Sequence, residues 1–162
     1  MHSPSLPPET DRDAVVDAVL SASRVLVAIA VRSLGDAAED VTLAQYRTLV
    51  VLASRGPQSL AALAEALAVA PPTATRMCDR LVRKGLVVRR HGRDDRRQVR
   101  LSLAEEGRDL VDAVTARRRV EITALLSAIP EDRQAGLVDS LQRLSAAAGE
   151  VPEQDWSTGW DL

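Results

Sequence analysis

The sequence predicts a mainly α-helical chain carrying one small β element of two or three strands. Apolar residues recur at spacings of three and four along most of its 162 residues, the period of amphipathic helices. That period changes once, between Leu86 and Leu103, to short strand-like runs on either side of a charged turn, the mark of a hairpin. The apolar residues are mostly Ala, Val and Leu, with no Phe and one Tyr, a composition that favours helices over sheets.

Residues 1–9 hold three prolines and read as a flexible N-terminal segment. Thr10 with Asp13 marks a helix start. Val15, Ala18, Val19, Ala22, Val25, Leu26 and Ile29 then carry a long helix to about Leu34, stopped by Gly35. An acidic loop follows, Asp36 to Asp40. Thr42 and Gln45 have the spacing of a capping box, with Tyr46, Leu49, Val50 and Ala53 as the buried face of a second helix that ends at Gly56-Pro57. Ser59 caps a short third helix with Leu60, Leu63 and Leu67 inside, and residues 68–71 make a tight connection. A proline in the first turn opens the fourth helix, where the missing N–H costs nothing. Its inner face is Ala74, Met77, Cys78, Leu81 and Val82, and Gly85 stops it.

Leu86–Arg90 and Gln98–Leu103 are the two strands, with Val99, Leu101 and Leu103 expected to alternate with outward polar residues. Two helices across a tight turn followed by a two-stranded ribbon make a winged helix-turn-helix. A helical run from about Ala104 to Ile129 comes next, with Leu110, Val114, Ile122, Leu125, Leu126 and Ile129 as its apolar positions. Arg117–Arg119 is a basic patch along it, read as a solvated face ahead of the alternative, a phosphate contact. Pro130 breaks that run. A last helix places Leu137, Val138, Leu141 and Leu144 on one face and ends at Gly149. The domain reading is therefore a flexible 1–9, helical regions from 10–35 and 104–148 whose apolar stripes exceed what the winged unit can cover and so suit a second copy, a winged unit over 42–103, and an acidic tail over 149–162 whose Trp156 and Trp160 either dock on the partner subunit or are disordered.

Charge separates the regions. From Thr73 to Arg100 ten Arg or Lys face three Asp, a balance of +7 in a chain whose net charge is −2. A basic island in an acidic protein is the footprint of a polyanion partner. The single Cys rules out an internal disulfide and a cysteine zinc site and suits a reducing cytoplasm. Two His, at 2 and 91, are too few for a histidine metal cage. No unbroken run of about 18 apolar residues predicts a membrane span, and the first residues lack the apolar core of a signal peptide. The expected location is the cytoplasm, on the nucleoid when bound. Glu105-Glu106 and Asp94-Asp95 read as surface charge. No nucleophile set, phosphate loop or metal spacing is present, so an enzyme is not expected and no cofactor is assigned.

The stretch Leu63–Gly107 resembles the MarR family of bacterial transcription regulators. The residues that carry the resemblance are Thr73-x-Thr75-Arg76, Asp79-Arg80-Leu81, Gly85-Leu86, the run Asp95-Arg96-Arg97, Val99-x-Leu101-x-Leu103 and Gly107. The capping box before Gln45-Tyr46 and the flanking helices extend the likeness to about residues 10–148. The resemblance implies a homodimer on a pseudo-palindromic double-stranded operator, usually a repressor and often released by a small-molecule effector. It also implies that Asp95 braces a neighbouring Arg of the wing. The chain departs from the pattern at Ala70 and Ala104, where capping hydroxyls are usual, and has no Cys near its first helix. With only Tyr46 aromatic in the body, little is expected to line an aromatic effector pocket.

Duplex DNA presents phosphates along its length and base edges in the major groove. The helix from 72 to 84 is the groove reader. Arg76 is the candidate for a bidentate guanine contact, and Thr73 and Thr75 for phosphates, base edges or thymine methyls. Arg80 and Arg83 are assigned to phosphates, and Ser59 and Pro72 join them as contacts. Arg93, Arg96 and Arg97 at the tip of the wing, residues 86–103, are assigned to the minor groove. Cys78 falls on the apolar face and reads as a small core residue. The competing reading is a winged-helix interaction module without DNA affinity, which a preserved basic wing disfavours.

Overall fold

The computed structural model describes residues 12–35, 37, 40–91 and 99–156. Six helices and one hairpin follow in the order α1 (Arg12–Leu34), α2 (Leu43–Arg55), α3 (Leu60–Ala66), α4 (Pro71–Arg83), β1 (Val87–His91), β2 (Val99–Leu103), α5 (Glu105–Leu126) and α6 (Glu131–Ala147). The expected start of the first helix at Thr10 lies outside the described residues.

α2 is the centre of the molecule. Thr42 and Gln45 form the capping box in both directions, side chain to backbone at 3.2 and 3.1 Å. Tyr46, Leu49, Val50 and Ala53 are buried as expected, but so are Thr48, Val51 and Leu52. The helix packs against α1, α3, α4, α5 and β2, so it is enclosed rather than merely amphipathic. The uninterrupted apolar run Leu49–Ala53 is the sequence signal for that. Gly56 closes it with φ 80°.

Between α3 and α4 the chain turns within four residues. Ala68 stands at φ 52°, a left-handed conformation that costs a non-glycine residue about 1–2 kcal/mol. Ala68 and Val69 N–H donate to the Glu65 and Ala64 carbonyls, both at 3.0 Å, which holds the turn. On α4, Ala74, Cys78 and Leu81 are fully buried, and Met77 and Val82 partly so.

The hairpin is antiparallel, with Val87 opposite Leu103 and His91 opposite Val99. The third strand is reduced to one bridge, in which Gln58 and Leu101 exchange N–H to carbonyl bonds of 3.0 and 2.8 Å. The expected alternation along β2 does not hold. Leu101, Ser102 and Leu103 are all buried, whereas Val99 is exposed. The base of the ribbon is enclosed by helices and its far end projects, so burial follows distance from the base rather than the pleat.

α5 starts at Glu105 against the root of the hairpin. Ala104 N–H donates to the Leu86 carbonyl at 3.0 Å, and that carbonyl lies only 2.2 Å from where a Cβ on Gly107 would be. Gly107 is glycine because the strand passes through the space a side chain would need. Val111, which the expected pattern omitted, joins Val114 in the core, whereas Leu125 is half exposed.

The flanking helices differ. Of α1 only Ile29, Ala30, Ser33 and Leu34 are buried, at its C-terminal end, and no residue of α6 is buried. Val16, Leu20, Leu26, Val138, Leu141 and Leu144 all face outward. α1 is also long and apolar enough to cross a membrane, with a mean hydropathy of 2.0 over its most apolar stretch. Asp17, Ser21, Ser23 and Arg24 keep it from being an unbroken apolar run, so the expectation of no such run stands beside a high average.

Arg117 and Arg119 are exposed, as a solvated face requires, and Arg118 is half-buried, but each of the three also has a partner. Arg117 Nη1 donates to the Ser33 and Leu34 carbonyls at 2.8 and 3.1 Å, capping the end of α1. Arg118 Nε donates to Ser33 Oγ at 3.4 Å and its guanidinium lies 5.4 Å from the centre of the Tyr46 ring. Arg119 pairs with Glu153 at 2.8 Å. Trp156 packs on its own chain's core, with Nε1 donating to the Val151 carbonyl at 2.9 Å. Trp160 lies outside the described residues.

Candidate nucleic-acid interface

Without a capping side chain at Ala70, α4 solves its N-terminus by removing donors. Pro71 and Pro72 have no N–H to satisfy, and Thr73 N–H donates back to the Ala70 carbonyl at 2.9 Å. The start of this helix therefore offers no amide to an anion, and recognition rests on side chains.

Pro72, Thr73, Arg76, Arg80 and Arg83 fall on one stripe of α4 by helical spacing. Pro72 and the three Arg are exposed, and Thr73 is half-buried. Arg76 Nη2 donates to Thr73 Oγ1 at 3.3 Å, so the Thr73 hydroxyl keeps its own proton for a phosphate. Thr75 differs, because its hydroxyl donates to the Pro71 carbonyl at 3.0 Å. It turns lone pairs and a methyl outward, which suits a base amino group or a thymine methyl better than a phosphate. Among the described residues none forms an ion pair with Arg76, Arg80 or Arg83. Ser59 stands off this stripe at the start of α3, where its Oγ accepts the Ala62 N–H at 3.1 Å.

Arg93, Asp95, Arg96 and Arg97 lie outside the described residues. On the described part of the ribbon, Arg90 sits directly across from Arg100, and both are exposed. Like charges in direct cross-strand register destabilise a hairpin, so the pair fits a ribbon that meets a polyanion. Asp79, counted above only as opposing charge, forms an ion pair with Arg89 of β1. It ties the reading helix to the wing. Periodicity contains no trace of that contact, because the two residues belong to different elements.

Cys78 is fully buried behind the stripe, and burial pushes its thiol pKa above the usual range. A buried neutral thiol is a poor nucleophile. Burial likewise raises the Tyr46 hydroxyl, against the opposing effects of a Thr115 hydrogen bond and the Arg118 charge. Tyr46 and Trp156 both line a cavity of about 350 Å³ with Thr115, Arg118, Arg119, Ile122 and Glu153. Its second aromatic ring comes from the tail, which the expectation of scarce aromatic lining, drawn from the body alone, did not count.

A helix-turn-helix whose second helix presents exposed arginines, braced to a basic two-stranded wing, defines a winged-helix DNA-binding transcription regulator. The comparisons place it further. A model of the MarR family matches residues 41–99. The chain is 32% identical over 121 residues to the HTH-type transcriptional repressor MdtR of Bacillus subtilis, covering 75% of this chain and 78% of that one. It is similar in structure to RV1404 from Mycobacterium tuberculosis, with a TM-score of 0.80 and 40% identity over 90% of this chain and 99% of the other. It is also similar to Bordetella bronchiseptica BpsR, described for regulation of DNA binding by 6-hydroxynicotinic acid, with a TM-score of 0.61 and 25% identity over 82% of this chain and 98% of that chain. The chain belongs to the MarR family and is a transcription regulator rather than an enzyme.

Proposed function

We propose that the protein is a homodimeric repressor that binds a pseudo-palindromic operator near the genes it controls and is released by a small effector. The observation that carries this reading is the exposed stripe Arg76, Arg80 and Arg83 beside the opposed Arg90 and Arg100. Such a surface is stabilised by a row of phosphates. In this reading Arg76 reads a guanine edge, Thr73 and Thr75 contact phosphate and base, and Arg80 and Arg83 hold the backbone. Ser59 and Pro72 contribute at the margin. Arg93, Arg96 and Arg97 enter the minor groove, with Asp95 as their brace.

The outward apolar faces of α1 and α6 support the dimer. Exposed apolar surface costs about 25 cal/mol per Å², and a second copy related by a two-fold axis covers both helices at once. Residues 10–35 and 104–148 are then the dimerisation region and 42–103 the DNA-binding unit. Two recognition helices on that axis meet one duplex about 34 Å apart. A repressor role is supported by the name of the relative MdtR. An effector is supported by the cavity beneath Trp156, whose volume of about 350 Å³ is that of a small-ligand site. The regulation of BpsR by 6-hydroxynicotinic acid points the same way. A chromosome-binding regulator works in the cytoplasm.

The test is Arg76→Ala, read on the selected operator and on random duplex. A base reader loses about 1–3 kcal/mol of discrimination, with affinity for random DNA little changed. An equal loss on both makes Arg76 a phosphate contact, and no salt-sensitive binding by the parent chain would overturn the DNA reading itself.

A further inference from the structure

α6 is bound to the rest of its own chain at few points. None of its residues is buried, and it packs extensively against no other element. Its C-terminal end is the exception. Gly149, at φ 71°, lets the Glu150 N–H return to the Ser145 carbonyl at 3.0 Å, so Glu150 is part of the helix cap and not of a loose tail. From there Glu150 forms a two-pronged pair with Arg47, with Nη1 to Oε2 at 3.1 Å and Nη2 to Oε1. Arg55 Nη2 donates to the Gly149 carbonyl at 2.9 Å. Both arginines are on α2, eight residues apart, which is about 12 Å along the axis.

Two attachments that far apart on α2 converge on one end of α6 and hold that end in place along α2. α2 in turn packs directly against the reading helix α4. We propose that the α6 cap, through Glu150 on Arg47 and Gly149 on Arg55, is the positioning device that sets the separation of the two recognition helices and hence the half-site spacing the protein accepts. The proposal rests on the dimeric operator reading above.

The magnitudes make the role plausible for so small a contact. Each recognition helix lies about 17 Å from the two-fold axis if the pair spans one DNA turn. A swing of about 10° on a lever of about that length moves each helix by about 3 Å and changes their separation by up to about 6 Å, more than the 3.4 Å rise of one base pair. A bidentate arginine–carboxylate pair is the contact that resists such a swing, because it fixes direction as well as distance.

The experiment uses the full chain and an operator selected by the parent from random duplex, together with versions that gain or lose one central base pair. The parent should prefer its own spacing by about tenfold or more. Glu150→Gln should erase most of that preference, and the reversed pair Arg47→Glu with Glu150→Arg should restore it. The negative charge lost in Glu150→Gln acts on all spacings alike, so the ratio between spacings is the readout. Retention of the parental ratio in Glu150→Gln would overturn the proposal, and so would failure of the reversed pair to restore it. A parent chain with no spacing preference at all would instead remove the two-copy reading on which the proposal rests.

Discussion

The winged unit and the flanking helices are built from the same few residue types yet end in opposite states. In the first, Leu49, Leu52, Leu63 and Leu81 are wholly buried within one chain. In the second, Leu20, Leu26, Leu141 and Leu144 stand about half exposed. Hydrophobicity alone does not separate the two groups; the number of elements packed around each does. α2 is enclosed by five neighbours, while α6 touches the body mainly through its cap. The contrast teaches that one copy of this chain completes its reading head but not its frame, and a second copy is the proposed completion.

The largest expected effect lies inside the reading head. Leu81→Ala removes a fully buried side chain and should cost about 2–5 kcal/mol, read by denaturant unfolding at fixed protein concentration. Leu141→Ala sharpens the comparison. On a monomer surface it should change stability by less than about 0.5 kcal/mol. If a partner covers it, dimer dissociation should become easier by about 2 kcal/mol, measured by sedimentation across a dilution series. Gly107→Ala pushes a methyl group onto the Leu86 carbonyl and should destabilise by about 1–3 kcal/mol, visible as a lower unfolding midpoint. The smallest change has the opposite sign. Ala68→Gly relieves the left-handed turn between α3 and α4 and should stabilise by about 1 kcal/mol, provided operator affinity is unchanged.

What was legible in the sequence was local. The Thr42 and Gln45 capping box, the Ser59 cap, the buried face of α4 and the glycine stops at Gly35, Gly85 and Gly149 all depend on residues a few positions apart. The structure has them where spacing put them. The ordered contacts across long separations were not legible. Arg117 on the end of α1, Arg119 with Glu153, Asp79 with Arg89 and Glu150 with Arg47 join residues from ten to more than a hundred positions apart. A charged residue carries no period that names its partner, so an arginine that caps a helix looks the same in sequence as one facing water. The place of Trp156 was not legible for a related reason. Its place against the core follows from where α6 ends, not from its own neighbours. For the candidate interface, the stripe on α4 followed from helical geometry, whereas the Arg90 and Arg100 opposition needed the strand register.

The central claim is that two copies of this chain present their arginine faces to a single duplex. Sedimentation of the parent protein on a selected operator, at low and at physiological salt, tests it most directly. The account predicts two chains per duplex and an affinity that falls steeply as salt rises, by about 0.9 in logarithmic slope for each phosphate contact. One chain per duplex, or binding indifferent to salt, would contradict it.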